Sequence, residues 1–191
     1  MMVSQMAEAR SSGGGHALGG QTCRPDQLFG LWAIEETQFR HYVALAKGAD
    51  LAQLRAESMA AAEKAAAGPP YQVTADGIAV IDIAGPMTKY PTSFQALFGG
   101  TSMLRTREAL RGAVRDPDVA GIMLRIDSPG GTVAGLSELA EDIRRAAARK
   151  PLHAYADDRA ASASLLALTQ ARKVWASTNA EVGAIGVYMV V

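Results

Sequence analysis

From Tyr71 onward the spacing of apolar residues alternates between strand-like runs and helical faces. Ile78 to Ile83 is a short apolar run closed by Gly85-Pro86, which predicts a strand. Thr101 or Ser102 can cap a following helix that turns Met103, Thr106, Leu110 and Val114 inward and ends near Asp116-Pro117. Val119 to Ile126 is long and apolar enough for a buried strand. After Asp127-Ser128-Pro129-Gly130-Gly131 come Leu136, Leu139, Ala140, Ile143 and Ala147, one face of a helix over 136–149. Leu152 to Ala156 predicts another strand, Ser162 to Ala171 a short apolar helix, Val174 to Ala176 a strand, and Val182 to Val191 an extended run. This order predicts an α/β fold with a mainly parallel sheet and helical crossovers.

The chain before Tyr71 has a different texture. Residues 1–28, with Ser11-Ser12-Gly13-Gly14-Gly15 and Gly19-Gly20, offer little to bury and are expected to form a disordered head. Leu31, Ile34, Gln38, Tyr42 and Leu45 stand at helical spacing, and Leu51 to Ala67 is Ala-rich, so 29–66 is expected to be helical. Gly68-Pro69-Pro70 breaks that pattern. The expected organisation is a head (1–28), a helical segment with linker (29–70), and an α/β domain (71–191).

Composition narrows the function classes. Of 191 residues, 49% are hydrophobic and 20% charged, as in ordinary globular proteins. The net charge is zero and the basic residues are dispersed along the chain, so no nucleic-acid or anionic-membrane partner is expected. A single cysteine, Cys23, rules out an internal disulfide and a multi-cysteine metal site. No apolar stretch is long enough to cross a bilayer, and the N-terminus lacks the apolar core of a secretory signal. A cytoplasmic protein is expected.

Two strand-to-helix junctions carry candidate chemistry. At the first, Gly130 and Gly131 come after a strand at the sheet's carboxyl edge, where open α/β sheets bind ligands. Without Cβ atoms, their N–H groups suit an oxyanion hole. At the second, Ser162 falls at a helix N-terminus, where a hydroxyl can act as a nucleophile. The plainer alternative is that Ser162 or Ser164 caps the helix. Both loops should open on one edge of the sheet, which gives two-thirds of an acyl-transfer site and leaves a base to be found.

None of the three histidines (His16, His41, His153) is well placed for a Ser-His pair. Lys150 ends a helix, Lys173 reads as solvated, and Lys89 is the one lysine to consider as a base. Asp127 is expected to organise its turn through backbone bonds, and Asp157 and Asp158 to pair with Arg159. No P-loop, metal-ligand spacing or GxGxxG is present.

These residues resemble the signal peptide peptidase A family of serine peptidases, in the branch that includes bacteriophage prohead proteases. The likeness runs through Gly77–Met87, Asp116–Ile122, Arg125–Thr132, Ala160–Ser164 and Val182–Val187, and more faintly Trp32–Glu36. Asp-Ser-Pro-Gly-Gly alone is less specific, since Clp proteases carry a similar turn. The resemblance implies a Clp/crotonase-like spiral of β-α units and a Ser/Lys dyad without cofactor or metal. Ser162 then matches the nucleophile, and Gly130 and Gly131 the oxyanion segment. Ala184 stands where the family usually has serine. The family's lysine lies downstream of the Val182–Val187 strand, so that resemblance places the general base outside this chain, which reads as C-terminally truncated. It also implies a polypeptide substrate (capsid or scaffold protein, or signal peptides) and a homo-oligomer.

The expected function is a serine endopeptidase, impaired by the missing lysine. Two alternatives stand beside it. A crotonase-type acyl-CoA enzyme would use the same amides for a thioester enolate and need no nucleophile at Ser162. A capsid-assembly component would bind capsid protein without cleaving it.

Overall fold

A computed structural model describes residues 30–38, 40–41, 70–91, 95 and 99–190. The expected head, with His16 and Cys23, and most of the expected helix over 29–66 lie outside the described residues. In chain order the strands are β1 (Gly30–Ile34), β2 (Gln72–Val73), β3 (Ile78–Ala84), β4 (Met87–Thr88), β5 (Thr101–Ser102) and β6 (Gly121–Ser128). They continue as β7 (Gly130–Thr132), β8 (Leu152–Ala161), β9 (Lys173–Ala176), β10 (Glu181–Gly183) and β11 (Tyr188–Val190). The helices are α1 (Met103–Arg115), α2 (Leu136–Arg149) and α3 (Ala163–Leu168).

The fold is α/β, and its larger sheet is mainly parallel, as the alternating pattern predicts. Its order is β10-β8-β6-β3-β2, with β9 also on β8; only β2 runs antiparallel to its neighbour. Ile81, Ile83, Leu124, Ile126, Leu152 and Ala154 form its buried face. Each large aliphatic side chain so buried contributes about 1.5–3 kcal/mol. The exposed Asp82–Arg125 pair sits directly across β3 and β6 with two bonds of 2.8 and 3.0 Å. Such surface pairs contribute about 0–1 kcal/mol, so packing holds the sheet and the pair only marks its register.

Helices α1 and α2 cover this sheet side by side. Ser102 caps α1 by accepting from Arg105 N at 3.4 Å, as expected, and Asp116 closes it. Met103, Thr106 and Leu110 are buried and Val114 partly so. Lys150 does more than end α2: its Nζ donates to the carbonyls of Ala113, Asp116 and Val119, satisfying the C-terminal end of α1. Between the helices Asp142, only 7% exposed, accepts from Arg107 Nε at 2.7 Å and from Arg111 at 2.8 Å.

A second, smaller sheet was not foreseen. Its order is β11-β1-β7-β4-β5, with β7 antiparallel to β1 and parallel to β4. Residues 30–34, expected to be helical, are therefore a strand: Trp32, Ala33 and Ile34 pair with Thr132, Gly131 and Gly130. A run this short fits a helical or a strand period equally, and pairing partners distant in sequence decide. Helix begins only at Glu36, where the Glu35 carboxylate accepts from the N–H groups of Thr37 and Gln38. The segment thus opens with a strand of the smaller sheet.

The glycine pair makes this second sheet possible. A Cβ on Gly130 would overlap the Ala33 carbonyl, and one on Gly131 the Met87 carbonyl. Gly131→Ala is expected to cost about 3 kcal/mol through overpacking, measurable as a lowered urea midpoint; an unchanged midpoint would refute this account of the pair.

Candidate functional site

Strand β8 is longer than its apolar run suggests, because Asp157 to Ala161 continue it. On β6, Ile126 pairs with Ala156 and Ser128 with Ala160: two residues of β6 advance while β8 advances four. The two extra residues form a bulge, which bends a strand and re-aims the chain beyond it. The first residue past the end of this bent strand is Ser162.

Ser162 stands between β8 and α3 with φ 54 and ψ −113, a conformation sparsely populated by residues with a Cβ. Its N–H donates to Gly183 O at 2.9 Å, and its Oγ donates to Gly186 O at 3.1 Å. The hydroxyl makes no capping bond to α3. Ser164 does not cap either: fully buried, its Oγ donates to Ser128 O at 2.8 Å and to Ala161 O at 2.9 Å. The capping alternative is therefore overturned for both serines. A sharp, strained strand-to-helix turn presents its side chain outward, and here Ser162 lines a cavity of about 370 Å³. Ala33, Leu136, Leu165, Ile185 and Val187 make the other walls largely apolar.

The two junctions do converge. The position a Cβ would take on Gly130 is 3.0 Å from the carbonyl of Ala161, the residue before Ser162, and Ser164 bridges from α3 to Ser128. The glycine amides are less bare than expected, however. Gly130 N donates to Ser128 Oγ at 3.2 Å, and Gly131 is enclosed between β1 and β4. Ser128, fully buried, also donates to Gly85 O at 2.7 Å. It, and not Asp127, organises the turn; Asp127 lies within β6, opposite Ala84. Ser128 was overlooked as a functional position although it belongs to the Asp-Ser-Pro-Gly-Gly motif itself.

The structure does not bring Lys89 to Ser162. Its Nζ lies 3.4 Å from Glu138 Oε1 and 5.6 Å from the centre of the Tyr90 ring, in a separate cavity of about 240 Å³. Lys150 is committed to three carbonyls, and Lys173 is exposed on β9. His153 packs edge-on against Trp175 with ring centres 5.0 Å apart. Among the described residues lining the Ser162 cavity there is no lysine or histidine. Nor, among the described residues, do three or more His, Cys, Asp or Glu side chains gather to hold a metal.

Carboxylates collect at the bulge beside the site. Arg159 pairs with Glu181 at 2.9 Å, and not with Asp157 or Asp158 as expected, because β10 runs beside β8 at that level. Loss of solvent, and then repulsion from Asp158, push the Asp127 carboxyl above its ordinary value; the Arg159 charge only partly offsets this.

No protein-family model matches the chain. It is 37% identical over 119 residues to capsid assembly protease C of Escherichia phage lambda and 33% identical over 119 residues to the head-tail preconnector protein GP5 of Enterobacteria phage P21. Each match covers 62% of this chain, but the chain spans only about a quarter of those relatives (27% and 24%). Among solved structures it is similar to an enoyl-CoA hydratase/isomerase family member (TM-score 0.44, 19% identity, 60% of this chain and 49% of that one). It is similar also to an enoyl-CoA hydratase from Mycobacterium smegmatis (TM-score 0.43, 16% identity, 60% of this chain and 48% of that one). Among the described residues no helix is long and apolar enough to cross a membrane.

The geometry generates two measurable outcomes. The strain at Ser162 amounts to about 1–3 kcal/mol, and glycine would relieve it at a smaller cost in unfolded-chain entropy. Ser162→Gly is therefore expected to melt above Ser162→Ala; the reverse order would mean the turn is unstrained. At Asp127 the native state holds its proton more tightly than the unfolded chain, so stability falls as pH rises above the usual 3.8. Asp127→Asn should be the more stable protein at neutral pH and lose that advantage in acid, and parallel stability curves for the two would contradict this.

Proposed function

We propose that Ser162 is the nucleophile of a serine endopeptidase of the signal peptide peptidase and phage capsid protease kind. One observation carries the reading: a serine in strained backbone at a strand-to-helix turn, uncommitted to capping, beside an apolar cavity. The similarity to phage proteins named as a capsid assembly protease and a preconnector supports it, and favours a capsid or scaffold polypeptide as the substrate class. Ser162 Oγ would attack the scissile carbonyl to give an acyl-enzyme. The Gly130 amide would stabilise the oxyanion once it turns from Ser128, and the apolar walls would seat an aliphatic side chain next to the scissile bond.

A base is the missing element. The Ser162 proton points at the Gly186 carbonyl, which accepts a hydrogen bond but cannot remove the proton. A neutral lysine amine reaching this cavity, from a second subunit or another part of the polypeptide, would take that proton and return it to the leaving amine. The described chain by itself is thus a poor catalyst. Thioester chemistry would need no such serine, and coenzyme A binding measured by calorimetry would separate it from this reading.

A fluorophosphonate probe with added propylamine as a substitute base tests the proposal. Labelling should be slow without the amine, faster with it, retained in Ser164→Ala and lost in Ser162→Ala. Equal labelling of both variants, or none of the unmodified protein with amine at alkaline pH, would remove Ser162 from the mechanism.

A further inference from the structure

We propose that the cleft between α1 and α2 docks an acidic, amphipathic segment of a partner polypeptide. The basic residues dispersed along the sequence are gathered here by the packing of two helices. The cleft, a cavity of about 620 Å³, is lined by Arg111, Arg115, Arg144, Arg145 and Arg149 against one carboxylate, Asp142.

The anions present are shared too widely to neutralise it. Asp142 serves both Arg107 and Arg111, and Glu141 serves both Arg144 and Arg145. Arg115 and Arg149 are exposed and have no ion-pair or hydrogen-bond partner among the described residues. Since the whole chain is electrically neutral, this surplus is local and calls for an external anion.

The chemistry of the lining selects among anions. Guanidinium forks bind carboxylates and phosphates alike in paired bonds. Between the arginines, however, lies an apolar floor made by Leu110, Val114, Ala146 and Ala148. A nucleic-acid backbone has nothing apolar to lay on that floor. A helix with carboxylates along both margins of an apolar stripe satisfies the floor and the rim together. This surface is formed by α1 and α2 and not by the Ser162 cavity, so the proposal stands apart from the peptidase reading.

The experiment is fluorescence anisotropy on the full chain with a labelled helical peptide carrying Leu on one face and Glu on its flanks. The controls are the same peptide with every Glu replaced by Gln, and a short duplex DNA. The Glu peptide should bind, weaken as salt is raised, and outbind the Gln peptide by about tenfold or more. Arg115→Glu with Arg149→Glu should lower its affinity by a similar factor. Arg115 and Arg149 stand in the last turns of α1 and α2, where charge reversal opposes the helix dipole and lowers the melting temperature. The pair Arg115→Gln and Arg149→Gln, which removes the charge without reversing it, should lower the affinity in the same sense with a smaller change in melting temperature. Equal binding of Glu and Gln peptides, no binding of the Glu peptide at low salt, or an affinity indifferent to both arginine pairs would overturn the proposal. So would preference for the DNA duplex, lost on the same substitutions.

Discussion

The close backbone approach at Gly130 and Gly131 is the constraint on which the rest of this structure depends. Three separate chain segments, through the carbonyls of Ala33, Met87 and Ala161, press toward positions where any other residue would carry a Cβ. Because nothing fills that space, β7 can sit between β1 and β4 and the smaller sheet can form. The same contact brings the end of β8 against the Ser-Pro-Gly-Gly turn, and with it Ser162. Hydrophobic burial supplies most of the stability of the larger sheet, but burial alone would not align two sheets at one serine.

The glycines therefore have a structural function before any chemical one. From the sequence they read as open amides waiting for a substrate carbonyl; in the fold one amide is held by the Ser128 hydroxyl and the other residue is enclosed. An oxyanion site at Gly130 would have to displace an internal partner at 3.2 Å, long enough to be a weak bond.

The central α/β order was legible in the sequence because each of its elements is long and has one dominant period. The caps and inward faces of α1 and α2 followed from Ser102 and from the spacing of Met103, Leu110, Leu139 and Ile143. Short elements with remote partners were not legible. Strand β1 needs Thr132 and Gly131, far along the chain, to declare itself, and the bulge in β8 appears only against β6. The role of Asp142 had a faint signal, an acid adjoining Ile143 on an inward face with Arg107 and Arg111 one turn apart upstream. The contact of Lys150 with the end of α1 had none. At the site, the carbonyl before Ser162 lies against the glycine turn, as two junctions on one sheet edge lead one to expect, whereas Lys89 is held elsewhere by Glu138, a pairing across 49 positions.

The bulge in β8 has a consequence for tolerance to length change. A charged pair such as half-buried Asp157 and exposed Asp158 would ordinarily mark a place where insertions and deletions are harmless. Here they act as a spacer between a strand register fixed at Ala156 and a side chain aimed at Ser162. Removing one residue would retract the chain by about 3.3 Å and turn every later side chain to the opposite face. A surface that looks free to drift is thus metrically tied to the hydroxyl it delivers.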